Sequence, residues 1–390
     1  MISPCCAWNT AVLLRNDPPE VHRMRYILQI FNGAWHTANV SPEDVIRKIR
    51  EVSSMIAVEK VIIGYHIDPP AYRKIGAELH KSGIQMLLWL PVFSAVSEIT
   101  EPEAALDIFG KPVVTPDQQA EDGFVFVCPS SGRNIQNVKD IYHQYFSDCG
   151  FDGVFLDRIR TQSFVSGVSG VLSCGCSRCR EAFLRKGVDI GQTAKRYELL
   201  KDSFFDMASW PMNGEFKAVD PAAQRFFEAK EEIISGAVTD LCKYFKDLGL
   251  MVGLDLFAPF VSRFAGQNYT LITKYADFIK PMLYRRTNAP AGPGYEFALF
   301  KKHAPGSHSP AKLPMDITFL NTQLAAIQDL PCGKYPGIEI NYYENIADTD
   351  AAYIEESLRA VRDHGLDGAV LCWNIMDAPE AHIKAACLTC

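Results

Sequence analysis

The chain has no basic excess. Its 39 Lys and Arg are outnumbered by 46 Asp and Glu, giving a formal net charge of −7, and no basic cluster or stripe stands out. That argues against nucleic acid as a partner. It also lacks an apolar run approaching the length of a bilayer span, so no membrane partner is expected. The opening residues, MISPCCAWNTAVLLRNDPPE, lack the charged head, long apolar run and small-residue cleavage site of a secretory signal. No Gly-rich dinucleotide or phosphate loop follows the first strand-like run, and no nucleophilic serine elbow is present.

Cysteine is not scarce. Twelve residues would suggest secretion, but the missing signal decides against it. Several lie in apolar runs (Cys128, Cys242, Cys372), where a thiol behaves as a small hydrophobe. The expectation is a cytoplasmic chain with reduced thiols.

What is present is ordinary globular composition, 48% hydrophobic and 22% charged, in a chain long enough to bury a large core. Apolar runs of strand length recur at 26–31, 58–66, 84–93, 153–157, 250–257, 277–284, 337–343 and 368–374. Helical patterns separate most of them. Ser41-Pro42 reads as an N-cap followed by Pro at the first helical position. The phrases DCGFDG, DLGLMVG and DHGLDG each read as a helix end, a left-handed Gly and a strand start. Strand–helix alternation means a parallel sheet, and eight such units predict a (β/α)8 TIM barrel spanning 1–390 as one domain. The short run FVFVC (124–128) is left out of that count, with a helix expected from about 134 to 148. About ninety residues separate Asp157 from the next strand, far more than a loop and helix need. A helical insertion subdomain is expected there, at 161–230.

In such barrels the catalytic face is the rim at the strands' C-terminal ends. Polar residues concentrate there. Asp157 ends strand 4, on the same side as Phe155, and Asp255 nears the end of strand 5. Lys280 and Tyr284 share a face of strand 6, as Glu339 and Asn341 do on strand 7. Trp373, Asn374 and Asp377 close strand 8, while His66 and Trp89 end strands 2 and 3. Carboxylates facing one cleft suit glycosidic chemistry, one attacking or activating water and another protonating the leaving oxygen. Trp89, Tyr284, Tyr342, Tyr343 and Trp373 are of the type that stacks on sugar faces or packs a core. Arg158 and Arg160 would bind an acidic substrate group or hold Asp157 ionised.

FDGVFLDRIR, a Cys-x-Cys-x-x-Cys, GLDLFAP, GQNY and DFIKPMLY with a Gly-Pro soon after together resemble uncharacterised bacterial proteins classed as glycoside-hydrolase-like TIM barrels. The likeness spans roughly 120–300. It implies a barrel and a carbohydrate-directed enzyme. Related α-retaining glycosidase barrels place the nucleophilic Asp at the end of strand 4, which carries over to Asp157. Their acid comes from strand 5 or 6, which carries over to Asp255, since strand 6 offers Lys280 and Tyr284. Barrels acting on β-linkages use a strand-7 Glu, here Glu339, but the Asn-Glu pair they carry on strand 4 is absent.

Cys174, Cys176 and Cys179 have spacing suited to a structural zinc, with a fourth ligand the pattern does not identify. Cys387-x-x-Cys390 is one source; three reduced thiols in a turn is the alternative. No cofactor is expected for catalysis. Two function classes follow: a glycoside hydrolase or transglycosidase centred on Asp157, and a barrel that binds carbohydrate or another ligand without turnover.

Overall fold

Each long apolar run becomes a parallel strand because neighbouring layers cover both its faces. The computed structural model describes residues 24–32, 41–94, 101–113 and 125–387. Its strands are β1 (Arg25–Asn32), β2 (Val58–Tyr65), β3 (Gln85–Pro91), β4 (Gly153–Asp157), β5 (Met251–Phe257) and β6 (Phe278–Met282), then β7 (Gly333–Lys334), β8 (Gly337–Glu339) and β9 (Gly368–Cys372). β7 and β8 both pair with β6 and are two pieces of one stave. Every pairing is parallel, and β5 meeting β6 closes the ring. The result is the closed eight-stave (β/α)8 barrel expected. Phe126 and Val127 form only isolated bridges, to Ser94 and Ala104, and add no stave.

Local chemistry sets the boundaries. Ser41 accepts a hydrogen bond from the Asp44 N–H, with Pro42 beginning the helix Pro42–Ser53. Gly150, Gly249 and Gly365 have φ of +79°, +80° and +65°, the left-handed turn those three phrases imply. The helix expected at 134–148 runs from Gly132 to Ile141 and ends in a wider π-turn, Tyr142–Phe146.

Inside the barrel, large and small residues alternate so that the layers interlock. Phe155 stacks on Phe278 with centroids 6.0 Å apart, and Trp89 meets Phe155 edge-on at 6.4 Å. Gly253 leaves room for this pair, since a Cβ there would lie 2.2 Å from the Phe278 ring. At the opposite, N-terminal rim, three aspartates brace neighbouring strands. Asp152 accepts from Met86 N (2.7 Å), Asp277 from Val252 N (2.8 Å) and Asp367 from Lys334 N (2.9 Å).

Between β4 and β5 lie the turns and helices Phe164–Ser166, Gly167–Val171, Ser177–Arg185, Ile190–Leu200 and Lys201–Phe205, then the long helix Pro221–Asp247. That helix runs across residue 230, the expected end of the insertion. Aromatic packing ties the segment down: Phe183 stacks on Phe226 at 5.2 Å, and Phe164 meets Phe264 edge-on at 5.3 Å. Among the described residues, no helix is long and apolar enough to cross a membrane.

Candidate active site

Asp157 stands at the mouth of the barrel, half-buried, while the four residues before it on β4 are buried. Alternation places it on the Phe155 side of the strand, above the ring that fills the barrel. Two N–H donors orient its carboxylate: the Trp89 indole Nε1 to Oδ2 at 2.9 Å, and the Arg158 backbone N to Oδ1 at 2.5 Å. Trp89 itself is only 4% exposed and packs on Phe31 with centroids 4.2 Å apart. Its expected role as a sugar-stacking face therefore gives way to positioning, because a buried ring offers no face to a ligand. Arg158, at φ +53°, turns its guanidinium to Ser94 Oγ (2.9 Å) and over the Tyr65 ring.

Asp255, on the next strand, is buried beneath the rim. Lys280 Nζ donates to its Oδ2 at 3.0 Å and to Gln29 Oε1 at 3.2 Å, while Oδ1 has no hydrogen-bond partner. Burial pushes the Asp255 carboxyl up to about 7, with Lys280 opposing the rise and the Asp157 charge adding to it. Arg160 joins this group, half-buried between the Phe257 ring (4.3 Å) and the Phe126 ring (4.9 Å). Loss of water lowers its guanidinium to about 10, against the charges of Glu296, Asp157 and Asp255.

Glu296 is a participant the sequence reading missed. It lies in the first turn of the helix Pro293–His303, fully buried, and accepts from Ser163 Oγ and Ala291 N, both at 3.1 Å. Burial raises its carboxyl, and Arg160 opposes the rise. An acid flanked by apolar residues in PGYEFALF was the available signal, but an acid in a first helical turn ordinarily serves the helix dipole.

The rim at strands 7 and 8 carries a further buried carboxyl. Glu339 is fully buried; its Oε1 accepts from Arg286 N at 2.7 Å, and its Oε2, like Asp255 Oδ1, has no hydrogen-bond partner among the described residues, with the Tyr353 hydroxyl and Arg285 nearby. Burial raises it to about 7, as it does Asp255. The two carboxyls have separate partners, and both act on Tyr284 and Cys372. Asn341 spends its amide on backbone: Oδ1 accepts from Trp373 N (2.6 Å) and Asn374 N (2.9 Å), and Nδ2 donates to Asn374 O (2.8 Å). Asn374, also buried, donates to Asp377 Oδ2 at 2.8 Å. Tyr284, at 2% exposed, packs edge-on against Trp373. Lys280, Tyr284, Asn341 and Asn374, expected to bind substrate, are thus enclosed. Trp373 and Tyr343, half-buried and parallel within 9°, and the exposed His66 and Asp377 remain reachable.

The cysteine expectation changes more sharply. Cys174, Cys176 and Cys179 are joined by Cys128, all four sulfurs lying within 4.8 Å of one another. Cys128 was expected to serve only as a small hydrophobe. Cys387 instead donates to Met55 O, and Cys390 lies outside the described residues.

No protein-family model matches the chain, and no curated protein matches its sequence. Solved structures do match its fold. The PgaB (BpsB) glycoside hydrolase domain from Bordetella bronchiseptica aligns over 93% of this chain and 98% of its own, at 12% identity and a TM-score of 0.57. The catalytic domain of β-amylase from Paenibacillus polymyxa aligns over 92% and 94%, at 8% identity and 0.53. Alpha-L-fucosidase isoenzyme 2 from Paenibacillus thiaminolyticus aligns over 94% of this chain and 49% of its own, at 11% identity and 0.54. Identities this low speak to fold, and the fold they share with this chain is that of the glycoside-hydrolase-like TIM barrels.

Proposed function

We propose that the protein is a glycoside hydrolase that cleaves O-glycosidic bonds at the Asp157 end of the barrel. The observation that carries the reading is the pairing of a reachable, oriented carboxylate with a buried carboxyl raised to about 7 on the adjacent strand. A reachable carboxylate beside a carboxyl that burial raises suits the two roles of glycoside cleavage.

Asp157 attacks the anomeric carbon, or takes a proton from the water that does. The glycosidic C–O bond breaks, and the Asp255 proton passes to the departing oxygen. Water supplies the new hydroxyl, or a second sugar does so in transglycosylation. Arg160 balances negative charge in the cleft, and the Trp373–Tyr343 face offers a stacking surface. The proposed chemistry needs no cofactor. Glu339 is assigned to holding the Arg286 turn.

A second reading, a barrel that binds carbohydrate without turnover, draws on the enclosure of Asp255, which is 3% exposed and fastened to Lys280. The deciding experiment is turnover on a panel of α and β, neutral and acidic aryl glycosides and oligosaccharides, with wild type beside Asp157→Asn. Hydrolysis lost about a thousandfold in a folded variant supports the enzyme, within the range of a lost catalytic carboxylate. Product anomer analysis then assigns retention or inversion. Ligand binding by both proteins with no hydrolysis by either would establish the second reading.

A further inference from the structure

We propose that Cys128, Cys174, Cys176 and Cys179 form a tetrathiolate site for one zinc ion, which clamps the segment after β3 to the segment after β4 above the catalytic rim. The four residues come from two chain segments about fifty residues apart, and none is disulfide-bonded. Cys128 Sγ lies 3.3 Å from Cys176 Sγ and 3.4 Å from Cys179 Sγ. Tetrahedral coordination at a Zn–S distance of about 2.3 Å sets sulfurs about 3.8 Å apart. The observed sulfurs approach that spacing, so a small outward movement admits the ion.

The surroundings are built to hold thiolates in place. Cys176 caps the nine-residue helix Ser177–Arg185, its sulfur accepting from Cys179 N at 3.5 Å, where the helix N-terminus favours negative charge. Gly175 threads between two cysteines so closely that a Cβ would lie 2.2 Å from Asp107 O, and its N–H binds Leu106 O at 2.8 Å. Arg180 fixes the same turn through Gly175 O and Ile108 O, both at 2.8 Å. On the other segment, Cys128 N donates to Glu103 O, and Asn134 Nδ2 binds Cys128 O at 3.0 Å.

Charge supports the assignment. Four thiolates around a divalent ion carry a net −2, which a buried site must offset. The exposed Arg178 guanidinium is paired with Glu103 and also acts on Cys128 and Cys176; the buried Lys230 side chain faces Glu231 and also acts on Cys174. Lys230 Nζ also donates to the Val171 and Phe264 carbonyls, at 2.6 and 2.8 Å, and lies over the Phe227 ring with Glu231 nearby. Soft sulfur ligands in a closed tetrahedron leave no open position for a substrate, so the ion is structural.

The clamp connects to the candidate active site. Phe126, two residues before Cys128, is one of the two rings enclosing Arg160. Losing the metal would free that ring and the loop that carries it.

The test is elemental analysis of the full chain, reconstituted with zinc under reducing conditions and desalted, beside Cys128→Ser and the exposed-site control Cys387→Ser. The proposal expects one zinc per chain in wild type and control, and less than about a tenth of that in Cys128→Ser, since one lost thiolate opens the site. Because Cys128→Ser could fail to fold, cobalt replacement in the wild-type chain provides an independent readout, the four-thiolate charge-transfer and tetrahedral d–d bands. Absence of metal from the reconstituted wild type, iron retained in preference to zinc, or zinc retained by a folded Cys128→Ser would each overturn the assignment.

Discussion

The barrel carries aspartates at both ends and uses them differently. At the N-terminal rim, Asp152, Asp277 and Asp367 each accept a backbone N–H from the neighbouring strand, and each has a basic side chain close by: His80, Lys246 and Lys334. These carboxylates are partly solvated and stitch staves together. At the C-terminal rim, Asp157 is aimed into the mouth, while Asp255 sits in low dielectric with one oxygen unpartnered. One residue type at two ends of the same strands thus gives bracing below and, in our reading, chemistry above. A carboxylate supplied with backbone N–H groups, a basic neighbour and water is held at little cost, while one buried short of partners is costly.

The largest expected effect is that of Asp157→Asn, about a thousandfold in kcat, with Tm close to wild type because Asn keeps the acceptor for Trp89 Nε1. Equal losses of activity and Tm would mean Asp157 braces as its N-terminal counterparts do.

The second prediction concerns pH. If Asp255 donates the proton, kcat/KM falls as pH rises through about 7, where its carboxyl loses that proton. Stability follows the same sign. Asp255 and Glu339 are both raised to about 7, so the fold binds their protons more tightly than the unfolded chain does. Their contribution is fully present below the ordinary carboxylate range and is lost as pH climbs through about 7. Lys280→Met removes the cation that opposes the Asp255 rise, so the alkaline limb should move to higher pH. A limb that stays put would assign the proton to another group. The stability cost of this variant should stay below the roughly 3–5 kcal/mol of an orphaned buried ion, because Asp255 can take a proton.

A smaller effect is expected of Trp89→Phe, which keeps the ring packing against Phe31 and removes the N–H to Asp157. A loss of about ten- to a hundredfold in kcat with KM unchanged would match one hydrogen bond to a charged acceptor, worth about 1.5–3 kcal/mol. A change confined to KM would point instead to substrate contact. The smallest effect is that of Asp277→Ala at the other end. It should lower stability by about 1 kcal/mol for the lost bond to Val252 N and leave kcat unaltered, measured by denaturant unfolding beside steady-state kinetics.

Much of the architecture was legible in the chain. Strands covered on both faces read as unbroken apolar runs, and left-handed glycines punctuate them, so the staves fall within a few residues of their expected positions. Asp157 and Asp255 lie at and near the C-terminal ends of β4 and β5 as expected, because strand alternation fixes a face from local sequence. Glu339 and Asn341 matched the same pattern; in the structure Glu339 Oε1 accepts from Arg286 N, and the Asn341 amide is taken by the backbone at 373–374. Those partners lie on other segments, and no local periodicity encodes them.

The order of staves, the rim carrying the polar residues and the presence of a long segment after strand 4 are properties the amino-acid sequence determined by itself, through burial, capping and chirality acting over a few residues. Tertiary structure decided the rest. It brought Cys128 to three cysteines nearly fifty residues away, set Glu296 against Arg160, and turned Trp89 from an apparent binding face into the donor that holds Asp157. Each depends on which distant side chains share one buried space, and that space exists only once the ring has closed.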